Sequence, residues 1–304
     1  MTDIPFSRDF DARPGEAIEV SPLVRRIVCD NPGPFTYTGT STFIVGRGKA
    51  AVIDPGPEQE SHLDAILAAL DGETVTHILI THTHRDHSPL AARLKAATGA
   101  RTFAQGPHGG GRLDTNEVRL DAAGDQDFVP DVRLGDGDII EGAGFTLESV
   151  FTPGHTANHM AFALKEEDAL FSGDHVMAWS TSVIAPPDGN MAQYFASLRK
   201  LLGRQEAVYW PGHGPERREP QGFVRAFLSH RQMREAAILQ RIRAGDRTIA
   251  NIVKAVYAGL DPRLHAAAAL SAFAHVEHLV EQGKVRTEGD LALDGIYWAA
   301  EGKR

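Results

Sequence analysis

Hydrophobic and polar positions follow two different periods along the first two thirds of the chain. Short apolar runs bounded by turn residues predict β-strands, and they occupy residues 23–29, 40–46, 49–56, 75–81, 100–105, 145–154, 159–166, 169–174 and 207–214. Runs with helical period lie between them, at residues 61–72, 88–99 and 192–203. Strands alternating with helices predict an α/β fold. Many of these strands end in His or Asp, so we expect the function on loops at strand ends.

Cap residues refine two of the predicted helices. Ser61 is the expected N-cap of the first, with Gly72 just past its end. Ser88 is the expected N-cap of the second, followed by Pro89 at its first position and by Gly99 after its last turn. Residues 106–130 are rich in Gly and Asp and predict a long surface loop.

The pattern changes after about residue 216. Three helices are predicted, at residues 222–245, 248–259 and 266–285, with Thr248 as the cap of the second. A short β-type tail follows at residues 284–298. We therefore predict a larger α/β domain over residues 1–215 and a small winged-helix-like domain over residues 216–304.

Composition and charge narrow the class of protein. Among 304 residues, 42% are hydrophobic and 23% charged, ordinary values for a globular protein, and no apolar run approaches the roughly 18 residues of a membrane span. The first 20 residues lack the apolar core of a secretory signal, so we expect a cytoplasmic protein without membrane contact. The only cysteine, Cys29, lies in a strand-like run and predicts a buried thiol rather than a nucleophile.

The net charge of −9 argues against a non-specific nucleic-acid binder. It is unevenly spread, because residues 216–304 carry 14 Lys and Arg against 11 Asp and Glu, whereas residues 1–215 carry 17 against 29. Bound divalent cations would offset part of this acidity. A solvated basic helix is the simpler explanation of the asymmetry.

The strongest chemical signal is THTHRDHS at residues 81–88, directly after a predicted strand. In extended backbone, residues two apart face the same side, so His82 and His84 can bind one ion together. Asp86 and His87 follow after the chain turns and can face a second ion. Imidazole and carboxylate ligands suit zinc, iron or manganese.

Three later motifs at strand ends supply further ligands. TPGHT offers His155, FSGDH offers Asp174 and YWPGHG offers His213. Glycine beside each of them lets the backbone turn tightly. Seven nitrogen and oxygen ligands suit two metals, with three His on one, Asp and two His on the other, and one bridging carboxylate. We predict two divalent ions, zinc first, with iron or manganese as alternatives.

These motifs, with Asp54 of VIDPG, resemble in order those of the metallo-β-lactamase superfamily over about residues 20–215. The resemblance implies a four-layer αββα sandwich with the site at the rim between two sheets. It assigns one metal to His82, His84 and His155 and the other to Asp86, His87 and His213, with Asp174 bridging. Asp54 would orient a ligand or loop, or else only form a turn before proline.

Motif details separate the chain from several branches of that superfamily. True β-lactamases of this fold carry Cys or Ser where Asp174 stands, and flavodiiron enzymes carry Glu in place of His84. The inserted domain of the RNA-cleavage and polyadenylation nucleases is absent, and the tail does not match the glutathione-binding domain of glyoxalase II. The tail and residues 121–140 look more like the lactamase-like branch with an animal mitochondrial endoribonuclease, which also ends in a winged-helix-like domain.

Four further residues near the motifs are candidates for the pocket or for contacts behind the ligands: His159, His175, Trp179 and Tyr194. For the two histidines we favour a pocket-lining or structural role over catalysis. The two aromatic residues can stack on a flat substrate group or pack in the core. His108 is expected in a loop without a ligand role, and His275 and His278 in a packing role rather than an HxxH metal site.

The sequence is compatible with three functions. The first is a hydrolase that uses a metal-bridging hydroxide on an ester, thioester or lactone-type small molecule, with Asp86 as a proton carrier. The second is a metal-dependent endoribonuclease on single-stranded RNA, because the segment 217–247 holds eight arginines. The third is a non-catalytic metal-holding binding module. A small-molecule substrate is the expected partner, and a homodimer is a further option.

Overall fold

The computed structural model of the protein describes residues 4–109 and 124–300. Its first half holds β1 (Ala17–Glu19), β2 (Val24–Val28), β3 (Ser41–Val45), β4 (Lys49–Ile53), α1 (Glu60–Ala69), β5 (Thr74–Leu79), α2 (Leu90–Thr98), β6 (Arg101–Ala104) and β7 (Val132–Arg133). The seven strands form one sheet in chain order, antiparallel from β1 to β4 and parallel from β4 to β7.

A second sheet follows in the chain. Its elements are β8 (Ile139–Glu141), β9 (Thr146–Phe151), β10 (Met160–Leu164), β11 (Ala169–Gly173), α3 (Met191–Leu202), β12 (Val208–Pro211) and β13 (Arg217–Arg218). The strand order is β13-β12-β11-β10-β9-β8, with only β11 and β12 parallel. β1, β7, β8 and β13 were not predicted, because strands of two or three residues give no measurable period.

Alternating side chains place the two sheets face to face. On β3, Phe43 and Val45 point into the apolar layer between the sheets, whereas Ile44 points outward to α1 and α2. On the far side, the second sheet carries α3, whose Tyr194, Phe195 and Leu198 lie in a separate apolar layer. The four layers are therefore helix, sheet, sheet and helix, and the predicted αββα sandwich is confirmed.

Two predicted caps are wrong, and a third is right. α1 begins one residue before Ser61, after Gln59, and no side chain caps it. Ser88 does not cap α2, and its hydroxyl instead donates a charge-assisted hydrogen bond to Asp125 Oδ2 at 2.6 Å. Gly99 ends α2 in the left-handed region as predicted. Most of the predicted loop 106–130 lies outside the described residues.

The C-terminal part is built from α4 (Pro220–Arg243), α5 (Ile249–Val256), α6 (His265–Glu281), β14 (Val285–Thr287) and β15 (Tyr297–Ala299). Thr248 caps α5 by accepting the amide hydrogen of Asn251, as predicted. The two strands pair as an antiparallel wing beside the helices, which confirms the winged-helix-like prediction. Among the described residues, no helix combines the length and apolar character that a bilayer span requires.

α4 is shared between two apolar layers. Phe223 and Phe227 in its first half pack with Tyr194 of α3, while Ile238 and Ile242 in its second half pack with α5 and α6. The domain boundary at residue 215 stays a prediction. The helix that follows it lies against both parts of the molecule.

Candidate metal centre

The predicted ligands come from loops at the strand ends along one rim of the sandwich. Residues 82–87 follow β5, His155 lies in the β9–β10 connection, Asp174 directly follows β11, and His213 follows β12. Asp54 directly follows β4. The fold therefore brings all seven predicted ligands and Asp54 to one place, although they are spread over 160 positions of the chain.

Three histidines form the first group of ligand atoms. His82 Nε2 lies 3.0 Å from His84 Nδ1, and His155 Nε2 lies 3.1 Å from the same atom. All the ligand atoms of this group lie within 4.8 Å of one another. Such a triangle of imidazole nitrogens is the size that one metal ion requires.

Asp86, His87 and His213 form the second group. Asp86 Oδ2 lies 3.3 Å from His87 Nε2 and 3.1 Å from His213 Nε2. Asp174 lies between the groups, because its Oδ2 is 3.3 Å from His213 Nε2 and 3.8 Å from His155 Nε2. It also forms a group of its own with His82 and His87.

The outward nitrogens of four of these imidazoles are fixed by partners behind the site. His155 Nδ1 donates to Val183 O at 2.6 Å, and His213 Nδ1 donates to Gly39 O at 3.2 Å. His87 Nδ1 contacts Asp54 Oδ2 at 2.9 Å, and His82 Nδ1 contacts the Thr81 hydroxyl at 3.0 Å. Each Nε2 therefore points inward, where it can bind a metal once it carries no proton.

Two buried atoms test whether the site fits a metal. His87 Nε2 and Asp174 Oδ1 are buried and make no hydrogen bond. Gly212 is also adapted to the site, because a Cβ there would lie 2.6 Å from Asp174 Oδ1 and 2.7 Å from His87 Cε1. Buried polar atoms without partners are costly unless a cation satisfies them. The donor set therefore fits divalent metal ions.

The comparison with known proteins assigns the family. Residues 36–213, more than half of the chain, match the family model described as the metallo-beta-lactamase superfamily. The chain belongs to the metallo-beta-lactamase superfamily. Residues 248–297 match a second model, the beta-lactamase associated winged helix domain. Both parts of the predicted resemblance are confirmed, and this superfamily member is a hydrolase as predicted.

Three relatives show how far this similarity reaches. The chain is 31% identical to a beta-lactamase-like protein 2 homolog of Drosophila melanogaster, over 88% of this chain and 90% of that one. It is 32% identical to an atrochrysone carboxyl ACP thioesterase of Claviceps purpurea, over 73% of this chain and 66% of that one. The fold matches the crystal structure of a beta-lactamase domain protein from Burkholderia ambifaria with a TM-score of 0.79 at 23% identity, covering 96% of both chains.

Charge differs between the two halves of the centre of this metallo-beta-lactamase superfamily protein. Burial, helped by His155, lowers the pKa of His84 to about 3, and burial with the neighbouring imidazoles lowers the pKa of His82 well below its usual value. Metal ligation requires neutral imidazole. His82 and His84 are therefore ready to bind a metal at neutral pH.

The half that contains the aspartates behaves differently. Burial alone would lower the pKa of His213, but the carboxylates of Asp174 and Asp86 raise it to about 9. The same two carboxylates and Asp54 outweigh burial at His87 and raise its pKa well above the usual value. Protons on these two rings therefore take the place that a metal cation would fill.

This difference predicts that metal uptake by the second group releases protons at pH 7. Because His213 must lose its proton, the metal affinity of this group should rise about tenfold per pH unit as the pH approaches 9, for each proton released. Calorimetric titration in buffers of different ionisation enthalpy, from pH 6 to 9, measures the release. His265→Gln, at an exposed histidine of α6, serves as the control. A flat affinity over this range would contradict the assignment.

Asp54 is held behind the ligands and is not only a turn residue. Its backbone takes a φ of +50° directly after β4. Its Oδ1 accepts the Thr81 amide at 2.7 Å, and its Oδ2 accepts the Thr81 hydroxyl at 2.6 Å as well as the contact from His87. One carboxylate thus orients His87 directly and His82 through Thr81.

The other predicted residues lie around this centre in different roles. His159 is buried, contacts the Thr152 hydroxyl at 2.9 Å and accepts the Asp174 amide at 3.2 Å, so it orients a ligand loop. His175 is buried against Tyr194 with ring centroids 4.5 Å apart. Of the two roles left open for Tyr194, the structure shows core packing, because its side chain is fully buried and its hydroxyl donates to His175 O.

Trp179 remains a candidate wall of the substrate site. Its ring stacks on Tyr37 with centroids 4.9 Å apart and an interplanar angle of 17°. It also lies against Gly214, the residue after His213.

The remaining histidines singled out in the sequence lie outside the group of ligands. His275 and His278 share the Glu235 carboxylate at 3.3 and 2.7 Å, which is a packing role. His108 contacts the Thr83 hydroxyl at 2.9 Å.

Sequence reasoning missed the partners behind the ligands. Thr81, which connects Asp54 to His82, stands next to the HxHxDH motif and could have been found there. Asn158 donates to Thr83 Oγ1 at 2.8 Å and to Gly106 O at 3.1 Å, which fixes the loop beside the motif. The carbonyl oxygens of Gly39 and Val183 give no sequence signal, since every residue has one.

Proposed function

We propose that the protein is a dinuclear metal-dependent hydrolase that cleaves an ester or thioester bond of a small molecule. One observation carries the proposal: seven inward-facing nitrogen and oxygen ligands meet at one rim, and the outward nitrogens of four of the histidines are already engaged. A binding module needs no such ordered arrangement of unsatisfied ligand atoms. A metal centre that must keep its geometry during a reaction needs ligands whose orientation is fixed in this way.

The ligand groups suggest how two ions would be held. His82, His84 and His155 would hold one ion, and Asp86, His87 and His213 the other, with Asp174 shared between them. When bound, the two ions would supply an activated water at neutral pH and polarise the carbonyl oxygen of the substrate. Zinc is the first expectation for this nitrogen and oxygen donor set, with iron or manganese as alternatives.

The two aspartates would have different tasks. The side chain of Asp174 is 10% exposed and would hold the geometry from within. The side chain of Asp86 is 25% exposed, and its Oδ2 also lies 3.4 Å from the Thr40 hydroxyl. Asp86 therefore faces incoming water and substrate and would carry the proton from the attacking water towards the leaving group.

The thioester or ester class is supported by two findings. A relative at 32% identity is named an ACP thioesterase, and an ACP thioester links an acyl group to a carrier protein through sulfur. The Tyr37–Trp179 stack beside His213 offers an apolar, flat wall to such an acyl group. Asp174, which stands in the position of the β-lactamase Cys or Ser, disfavours β-lactam hydrolysis.

The structure weakens the argument for RNA. Of the arginines in segment 217–247, Arg231 is buried, Arg234 donates to Val256 O at 2.6 Å, and Arg241 pairs with Asp246 at 2.6 Å. Three of the eight arginines are therefore already engaged by groups of the protein itself, which leaves fewer of them for phosphates. Cleavage of RNA is therefore less favoured than cleavage of an ester or thioester, and the substrate panel distinguishes the two activities.

A substrate panel tests the proposal. Purified protein, reconstituted with zinc, manganese or iron and checked by elemental analysis, is assayed on acyl-glutathione and acyl-N-acetylcysteamine thioesters, p-nitrophenyl esters, an acyl-homoserine lactone, nitrocefin, bis-p-nitrophenyl phosphate and labelled RNA. We expect thioester or ester cleavage that is lost in His82→Ala. Cleavage of RNA alone, with strong salt dependence, would replace the proposal by the nuclease. Protein that binds no metal under any loading would end it.

A further inference from the structure

A buried arginine of the C-terminal part reaches the back of the metal centre. Arg231 lies in the middle of α4 and is 3% exposed. One terminal nitrogen donates to the Ser182 carbonyl oxygen, and the other donates to Ser271 Oγ on α6 at 3.2 Å. Its guanidinium carbon lies 5.4 Å from the centre of the Tyr194 ring. None of the ion pairs among the described residues gives it a carboxylate partner.

The segment that Arg231 contacts makes hydrogen bonds to two proposed metal ligands, Asp174 and His155. The Ser182 hydroxyl is 2.5 Å from Asp174 O and 2.9 Å from His175 O, so it fixes the backbone of the shared aspartate. The next carbonyl oxygen, that of Val183, accepts the Nδ1 hydrogen of His155 at 2.6 Å. Residues 182–183 therefore orient one ligand of the first group and the aspartate between the groups.

The energetics separate this contact from ordinary packing. A buried guanidinium loses its hydration, and a carbonyl and a hydroxyl recover only part of that cost. A methionine side chain of similar length would fill much of the same space without a buried charge. The contribution of Arg231 therefore lies in the orientation it gives to the Ser182 carbonyl.

We propose that Arg231 is a positioning residue, which fixes residues 182–183 and through them the orientation of His155 and Asp174. The proposal rests on the proposed function for the roles of these two ligands. It makes the C-terminal part a support of the metal centre, because the same guanidinium joins α4, α6 and the loop behind the ligands.

The test compares Arg231→Met and Arg231→Lys with a matched control. Arg234→Met removes an arginine one turn later on α4, whose bonds go to Val256 O and the Tyr257 ring and not to the loop behind the ligands. Zinc affinity is measured by chelator competition, and kcat and KM are measured on the best substrate of the panel. In addition, hydrogen exchange of the His155 Nδ1–H and of the amides at 182–185 is measured by NMR on protein stripped of metal.

We expect Arg231→Met to weaken zinc binding about tenfold or more and to lower kcat, with KM changed less than about twofold, because contacts behind the ligands act on metal geometry. Exchange of the His155 Nδ1–H should be faster, Arg231→Lys should restore part of each effect, and Arg234→Met should change none. A thermal midpoint near that of the original protein would show that the fold is kept.

Unchanged zinc affinity and unchanged His155 exchange in a folded Arg231→Met protein would overturn the inference. The exchange measurement needs neither metal nor substrate. If the original protein binds no metal, the proposed function fails, while the exchange rates still decide whether Arg231 fixes His155. If Arg231→Met does not fold, Arg231→Lys takes its place: it keeps the charge but not the two-nitrogen geometry, so weaker zinc binding and faster His155 exchange are still expected, and unchanged values of both would overturn the inference.

Discussion

Replacing Asp174 with Ala should reduce the metal content from the proposed two ions per chain towards one and lower kcat/KM about 1000-fold. The carboxylate lies 3.3 Å from His213 Nε2 and 3.8 Å from His155 Nε2, so its loss affects both ligand groups. Two bound ions contribute several kcal/mol to stabilising the charge of the transition state, and about 4 kcal/mol corresponds to this factor. Elemental analysis and steady-state kinetics measure the two effects.

The matched control is Asp136→Asn, at an aspartate that pairs with Lys200 on the surface. It should leave both the metal content and the kinetics unchanged. Two ions per chain in Asp174→Ala would show that this aspartate is not shared between them. A normal rate with one ion would show that the second group is not needed for the reaction.

Gly212→Ala should lower kcat about 100-fold although it adds a single methyl group. The new Cβ would lie 2.6 Å from Asp174 Oδ1 and 2.7 Å from His87 Cε1, so at least one ligand must move. A displacement of about 1 Å in a catalytic group is enough for a loss of this size. Gly212 is not among the residues with positive φ, so the effect would come from space rather than backbone strain.

Gly222→Ala provides the control for this substitution. Gly222 lies in the first turn of α4, and a Cβ there would meet nothing within 4 Å. Activity should be unchanged, and the helix should gain up to about 1 kcal/mol. Equal kinetics for the two alanine variants would show that the ligands near Gly212 do not need their present positions.

The ligands of the centre could be predicted because the chemistry and the strand pattern coincide in the sequence. His82, His155, Asp174 and His213 each follow or flank an apolar strand-like run. The loops that carry them, after β5, β9, β11 and β12, meet along one rim of the sandwich. The partners behind them were not predictable in the same way. Arg231 is separated from Ser182 by 49 positions, and only the packing of α4 on α3 brings the two together.

Local residue preferences and the observed contacts differ at several positions for one common reason. Ser88 carries a favourable N-cap side chain, but the distant Asp125 is a better partner for its hydroxyl. Tyr194 has a suitable ring for stacking, but the helix that carries it turns that ring into the core. Arg231 and Arg234 look like a basic face in the sequence, yet both donate to internal carbonyl oxygens. In each case tertiary contacts outweigh local preference.

The position of α4 has a consequence for how the chain can be divided into fragments. The family models end at residue 213 and resume at residue 248, so the helix between them belongs to neither. Its 24 residues nevertheless fill apolar layers on both sides of that gap. A fragment that ends at residue 213 would therefore expose to water the aromatic side chains of α3 that α4 covers, and we expect the parts on either side of α4 to lose stability together.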